Sequence, residues 1–132
     1  MPTVDLDIPP RSAYVAVVRL VVSSLARSAG LQETAVDDLK IAVSEACANA
    51  VMSNEEAGIE DPVSIAWHAD DDKVEVQVGD RGKIYGSVGA AADERASDRL
   101  SMSMALLDSL VDEFSYEPRP DGGMLTRLVV RR

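Results

Sequence analysis

Glu45 and Asn49 stand four residues apart in the stretch Ser44-Glu45-Ala46-Cys47-Ala48-Asn49-Ala50. On a helix, residues four apart lie one above the other, so a carboxylate and a carboxamide would project together. A carboxylate can orient or deprotonate a hydroxyl. A carboxamide oxygen can coordinate a hard cation. Held side by side, the two could act on one ligand. The plain alternative is a solvated Glu beside a tolerated Asn.

Two further stretches carry candidate chemistry. Asp80-Arg81-Gly82 follows an alternating apolar run directly. A carboxylate at a strand end can accept an exocyclic amine, and a glycine two residues on lets backbone come close to a ligand. The same residues also suit an ordinary turn. Ser101-Met102-Ser103-Met104 reads as the opening of a helix, where free amides bind phosphate and hydroxyls can assist. Simple N-capping by Ser97, Ser101 or Ser103 is the alternative. His68 is the one histidine and Cys47 the one cysteine, which excludes a zinc site of the usual ligand sets and an internal disulfide. No triad can be assembled around His68.

These residues need elements to position them. Leu39, Val43, Ala46 and Ala50 keep helical spacing within a helix expected from about Ala35 to Ser53, capped by Thr34. At ~100° per residue, the Glu45/Asn49 stripe borders that apolar face instead of opposing it. Upstream, Thr3 to Ile8 alternates as a strand stopped by Pro9-Pro10. Ser12 to Ala29 then reads as a helix with Gly30 at its C-cap, although its β-branched content leaves a strand open for part of it. Asn54 to Asp61 reads as a loop. Val63 to Ala69 and Val74 to Val78 alternate on either side of Asp70-Asp71-Asp72-Lys73, which is a hairpin. A long Gly-containing loop runs from Arg81 to about Ser97, and loops of that length in a compact domain are commonly functional. Leu100 to Val111 reads as a helix, Glu113 to Glu117 as a strand, Pro118 to Gly123 as a turn and Met124 to Val130 as the last strand. This order predicts one domain over residues 1–132, an α+β two-layer sandwich with helices on one face of a mixed, mostly antiparallel sheet.

The 132 residues are 46% hydrophobic, enough for one sizeable core, and with one Trp, three Tyr and one Phe that core is mainly aliphatic. A formal net charge of -10 argues against direct nucleic-acid binding or an anionic membrane surface and suits a basic protein partner. The longest apolar stretch, Ala13 to Ala26, contains Arg19 and is too short to span a bilayer. No basic segment precedes it, so the expected location is the cytoplasm.

The order and distances of these motifs resemble the histidine-kinase-like (GHKL, Bergerat fold) ATPase superfamily, and within it the RsbW-like anti-sigma factor serine/threonine-protein kinases. Lys40 to Val51 looks like that family's N box, Val78 to Gly82 like its first glycine box and Leu100 to Glu113 like its second. The closing Gly122-Gly123 and final strand also match, so the resemblance covers nearly the whole chain. It implies ATP bound with Mg²⁺ beneath a lid. It implies Asn49 as the metal ligand, Glu45 as the general base, Asp80 on the adenine amino group and Gly82 close to the base, with Ser101 and Ser103 at the phosphate cradle. It further implies a homodimer that sequesters a sigma factor and phosphorylates a serine of an anti-anti-sigma antagonist.

The chain departs from the family pattern at Ile84, Ser101 and Ser103, where glycines are usual, at Leu125, where a threonine is often found, and at Ser53, where a histidine is common. A β-carbon at Ser101 or Ser103 crowds a phosphate or forbids a positive φ. The rival expectation is therefore a non-catalytic partner-binding module of the same fold, with weak or lost ATP binding. An unrelated α+β domain is the plainest alternative.

Overall fold

A computed structural model of the chain describes residues 3–82 and 94–132, with only the backbone of 94–97. Five strands form one sheet: β1 (Thr3–Ile8), β2 (Val63–Ala69), β3 (Lys73–Gly79), β4 (Glu113–Pro118) and β5 (Met124–Arg131). Their spatial order is β1-β2-β3-β5-β4 and every ladder is antiparallel. Three helices accompany them: α1 (Val15–Ser28), entered through a 3-10 turn at Ser12–Tyr14, α2 (Glu33–Glu56) and α3 (Glu94–Leu110). This is the α+β architecture expected, with antiparallel pairing throughout.

Alternation decides which side of the sheet is covered. Val63, Ile65 and Trp67 of β2, Val74, Val76 and Val78 of β3, and Leu128 and Val130 of β5 are buried on one face. They meet Val18, Val22 and Ala26 of α1, Val36, Leu39, Val43, Ala46 and Ala50 of α2, and Leu107 of α3 in a single core. Of these the α2 residues recur at three and four, as the sequence predicts. Burying a Val or Leu side chain contributes about 1.5–3 kcal/mol, so this aliphatic layer is the main stabilising element. Val129, opposite Glu75 and Glu113 in the ladders, is the buried residue of the other face of β5.

Helix ends follow their glycines. Gly30 has φ 86, and Leu31 N–H closes back on Ala26 C=O at 3.1 Å. Gly58 has φ 67, and Ile59 N–H closes on Asn54 C=O at 2.8 Å. Both are left-handed caps that satisfy orphan carbonyls.

Three expectations need correction. Thr34 does not cap α2: the helix begins at Glu33, and Gln32 holds the N-cap with no side-chain bond. Glu33 sits in the first turn, where its charge suits the helix dipole. Asn54, read as the start of a loop, is still helical and fully buried. The helix expected from Leu100 begins at Glu94, so Ser101 and Ser103 lie in its interior and do not open it. Their amides fall within the helical ladder and are not free to receive a phosphate. Ile84, Gly86 and Gly89 lie outside the described residues.

Candidate active site

α2 and α3 flank a cleft of about 550 Å³ lined by Glu45, Ala48, Asn49 and Met52 from α2 and by Arg99, Leu100, Met102, Ser103 and Leu106 from α3. α2 presents Glu45 and Asn49 one turn apart on its half-buried stripe, because Ala42, Val43, Ala46, Cys47 and Ala50 occupy the core side. Asn49 Nδ2 donates to Ser103 Oγ at 2.6 Å, linking the two helices across the cleft. Arg99 was not singled out in the sequence. Its exposed guanidinium reaches Met52 Sδ at 3.7 Å, and among the described residues no carboxylate pairs with it. A cation, a carboxylate and a carboxamide thus line one cleft together with Met52, Met102 and Leu106.

That donor set fits a metal carried in by a phosphate. Among the described residues, no group of three or more His, Cys, Asp or Glu side chains could hold a metal ion by itself. Mg²⁺ is commonly held by one or two protein oxygens with phosphate and water completing its shell. Asn49 Oδ1 makes no hydrogen bond among the described residues, and Glu45 lines the same cleft. Arg99 suits the phosphate charge.

Asp80 and Gly82 lie beyond this cleft, among packed backbone. Asp80 is 4% exposed. Its Oδ1 accepts Gly82 N–H at 3.0 Å and Met124 N–H at 3.1 Å. Burial pushes its carboxyl above the ordinary carboxylate range, against the pull of those two amides and of Arg119. Arg119 Nη1 donates to Asp80 C=O at 3.2 Å. Asp121 bridges Arg81 at 2.5 Å and Arg119 at 3.8 Å, so the β4–β5 turn is pinned to the end of β3. A β-carbon at Gly82 would overlap Ser53 Oγ and the Ser53 backbone. Close packing of the β3 end on α2 is therefore a reason for glycine there, beside the one inferred from sequence. Ser53 Oγ is buried without a hydrogen bond of its own among the described residues. Asn54 adds a second tie, accepting Arg81 N–H at 2.9 Å and donating to Asp61 C=O at 3.0 Å.

The structure thus brings Glu45, Asn49 and Ser103 together and sets Asp80 with Gly82 on the Ser53 side of α2. Ser101 is exposed and does not line the cleft. Leu125, the position of the missing threonine, alternates away from the helices, whereas Thr126 is 5% exposed on the face shared with Leu128. A threonine hydroxyl is thus present on the helix-facing side one residue later.

Residues 8–129 match the family described as Histidine kinase-like ATPase domain. The chain is 32% identical over 119 residues to the Serine-protein kinase RsbW of Bacillus licheniformis, covering 83% of this chain and 74% of that protein. It is 33% identical over 123 residues to the protein of the same name from Bacillus velezensis, covering 86% and 77%. The crystal structure of the RsbU and RsbW domains of a Mycobacterium tuberculosis protein superposes with a TM-score of 0.75 at 20% identity. That match covers 99% of this chain and 32% of the other, so this chain corresponds in fold to about a third of it.

Proposed function

We propose, from the premise that the chain belongs to the histidine kinase-like ATPase domain family, that it is an ATP-dependent protein-serine kinase acting as an anti-sigma factor. In this reading it sequesters a sigma factor and phosphorylates a serine on an anti-anti-sigma antagonist. The observation that carries the proposal is the convergence of Glu45 and Asn49 on one cleft with Arg99 opposite. The similarity to serine-protein kinases named RsbW supports the substrate class.

Each residue then has a role. Glu45 would accept the proton of the substrate serine hydroxyl as the serine oxygen bonds to the γ-phosphorus of ATP and the bond to the β,γ-bridging oxygen breaks, with ADP leaving. Asn49 Oδ1 would hold Mg²⁺ brought in with the nucleotide, and the ion would supply positive charge that offsets the phosphates. Arg99 faces the same charge from α3. Asp80 accepts from the exocyclic amine of the base, with its carboxylate aimed by Gly82 and Met124 amides. Thr126 supplies a hydroxyl on that side of β5.

The test uses purified protein, the cognate antagonist taken by pull-down, and radiolabelled ATP with Mg²⁺. Wild type labels the antagonist serine, and Glu45→Ala loses ~10²–10⁴-fold in rate. Antagonist binding stays nearly intact, because a half-exposed carboxylate at the cleft changes stability by about 0.5 kcal/mol or less. A wild-type protein that binds antagonist and leaves it unlabelled overturns the kinase reading.

One observation favours a second reading, partner capture without phosphoryl transfer. α3 is continuous through Ser101 and Ser103, where the family's glycines free amides for phosphate. No heat of binding at millimolar ATP with Mg²⁺, alongside retained antagonist binding, selects this reading.

A further inference from the structure

We infer that Ser103 is a positioning residue for Asn49: by accepting from Nδ2 it steadies the carboxamide in the orientation that leaves Oδ1 for a cation. The inference rests on the reading of Asn49 as a ligand of nucleotide-borne Mg²⁺.

A carboxamide has one accepting end and one donating end, and a half-turn about its last bond exchanges them. Only the oxygen end can bind a cation. An asparagine that is free to turn presents the wrong end part of the time and loses affinity by that fraction. Here Nδ2 is committed to Ser103 Oγ at 2.6 Å, and Asn49 makes no other side-chain hydrogen bond among the described residues. Ser103 is 8% exposed, so water competes poorly for its hydroxyl. It is anchored from a second helix, 54 residues away in sequence. The serine that departs from the family's glycine therefore supplies an acceptor that glycine lacks.

The same contact couples the cation to the helix pair. Without a cation, a serine hydroxyl can also donate to Oδ1 of a reversed amide. With a cation on Oδ1, only the arrangement with Nδ2 toward Ser103 remains favourable. Cation binding then tightens α2 on α3 through this one bond, and Arg99 rides on α3 one turn before Ser103.

The experiment is calorimetry of ATP binding to the full chain, in Mg²⁺ and again in EDTA, for wild type, Asn49→Ala, Ser103→Ala and Ser103→Thr. Side-chain amide NMR of Asn49 accompanies it. Ser103→Ala is expected to weaken binding in Mg²⁺ by about tenfold, the size of one hydrogen bond to a buried partner. In EDTA its affinity stays within about twofold of wild type, because the lost bond bears only on the cation's ligand. Ser103→Thr keeps the hydroxyl and restores the Mg²⁺-dependent part. In Ser103→Ala the Asn49 amide protons lose their distinct shift. Equal weakening in Mg²⁺ and EDTA means Ser103 is merely structural and overturns the inference. So does an Asn49→Ala that loses Mg²⁺ dependence while Ser103→Ala keeps it, a result that leaves the proposed function standing. Mg²⁺ dependence that survives Asn49→Ala, or ATP that binds no variant, removes the reading of Asn49 and the inference with it.

Discussion

Asp80 and Met124 hold each other twice: Asp80 N–H donates to Met124 C=O at 3.0 Å, and Met124 N–H donates to Asp80 Oδ1 at 3.1 Å. The end of β3 is thereby joined to the start of β5 by a side chain as well as by backbone. This carboxylate is buried, and its folded-state pKa lies above the ordinary value of 3.8.

The folded state therefore binds the Asp80 proton more tightly than the unfolded chain does. Its contribution to stability is fully present below about 3.8 and is lost as pH rises through the higher folded value. Asp80→Asn keeps an acceptor for both amides and removes this titration. Urea unfolding at a series of pH values from 4 to 7 should show wild type gaining on Asp80→Asn as pH falls. A constant gap between the two would contradict the raised pKa.

Gly122 and Gly123 adjoin in the β4–β5 turn with φ 104 and 84. A β-carbon at Gly122 meets nothing within 4 Å, whereas one at Gly123 would overlap the Asp80 carbonyl and Arg81. Gly122→Ala should cost about 1–2 kcal/mol, the left-handed strain alone. Gly123→Ala should cost at least about 3 kcal/mol, because backbone must also move. Denaturant titration of both variants separates the two contributions, and equal losses would refute the close approach.

Tyr14, Val17 and Leu20 form an exposed apolar stripe at the start of α1, with Leu20 72% exposed. A second copy of the chain is the expected occupant, in line with the homodimer that the family resemblance implies. Leu20→Glu should shift the mass in light scattering from dimer to monomer while changing subunit stability by about 0.5 kcal/mol or less. A wild-type monomer at tens of micromolar would exclude the homodimer.

Cys47 is fully buried, and burial pushes its thiol up to about 12. A thiol-specific disulfide reagent at pH 8 should modify the native protein at least about a hundredfold more slowly than the urea-unfolded chain, since the thiolate is the reactive form. Rapid native labelling would show that α2 opens at this point.

The sequence discloses what local periodicity controls. Leu39, Val43, Ala46 and Ala50 announce the buried face of α2, and that face in turn places Glu45 and Asn49 at its border. The β2–β3 hairpin is legible because Val63 to Val78 alternates around an acidic turn. What depends on distant partners is not legible. Asn54 looks like a loop residue until Asp61 and Arg81 satisfy its amide inside the core. Thr34 looks like a cap, yet α2 starts one residue earlier at Glu33. Residues 94–99 carry three charges with Glu94, Arg95 and Asp98 and a fourth with Arg99, so the first turns of α3 lack an apolar stripe to betray them. Arg99 enters the cleft only because α3 packs beside α2, and no motif marks that neighbour.

The strand order carries a consequence for synthesis. Of these five strands β5 is made after the others, yet it inserts between β3 and β4. Until Met124 to Arg131 emerge from the ribosome, β3 is an open edge, Asp80 has no Met124 amide to accept, and Val76 and Val78 face no Leu128 or Thr126 across the ladder. A nascent chain can pair β1, β2 and β3 in passing and still lack the Asp80–Met124 clamp. A stalled or truncated chain that lacks β5 would therefore lack this clamp and expose a pairing edge to quality control.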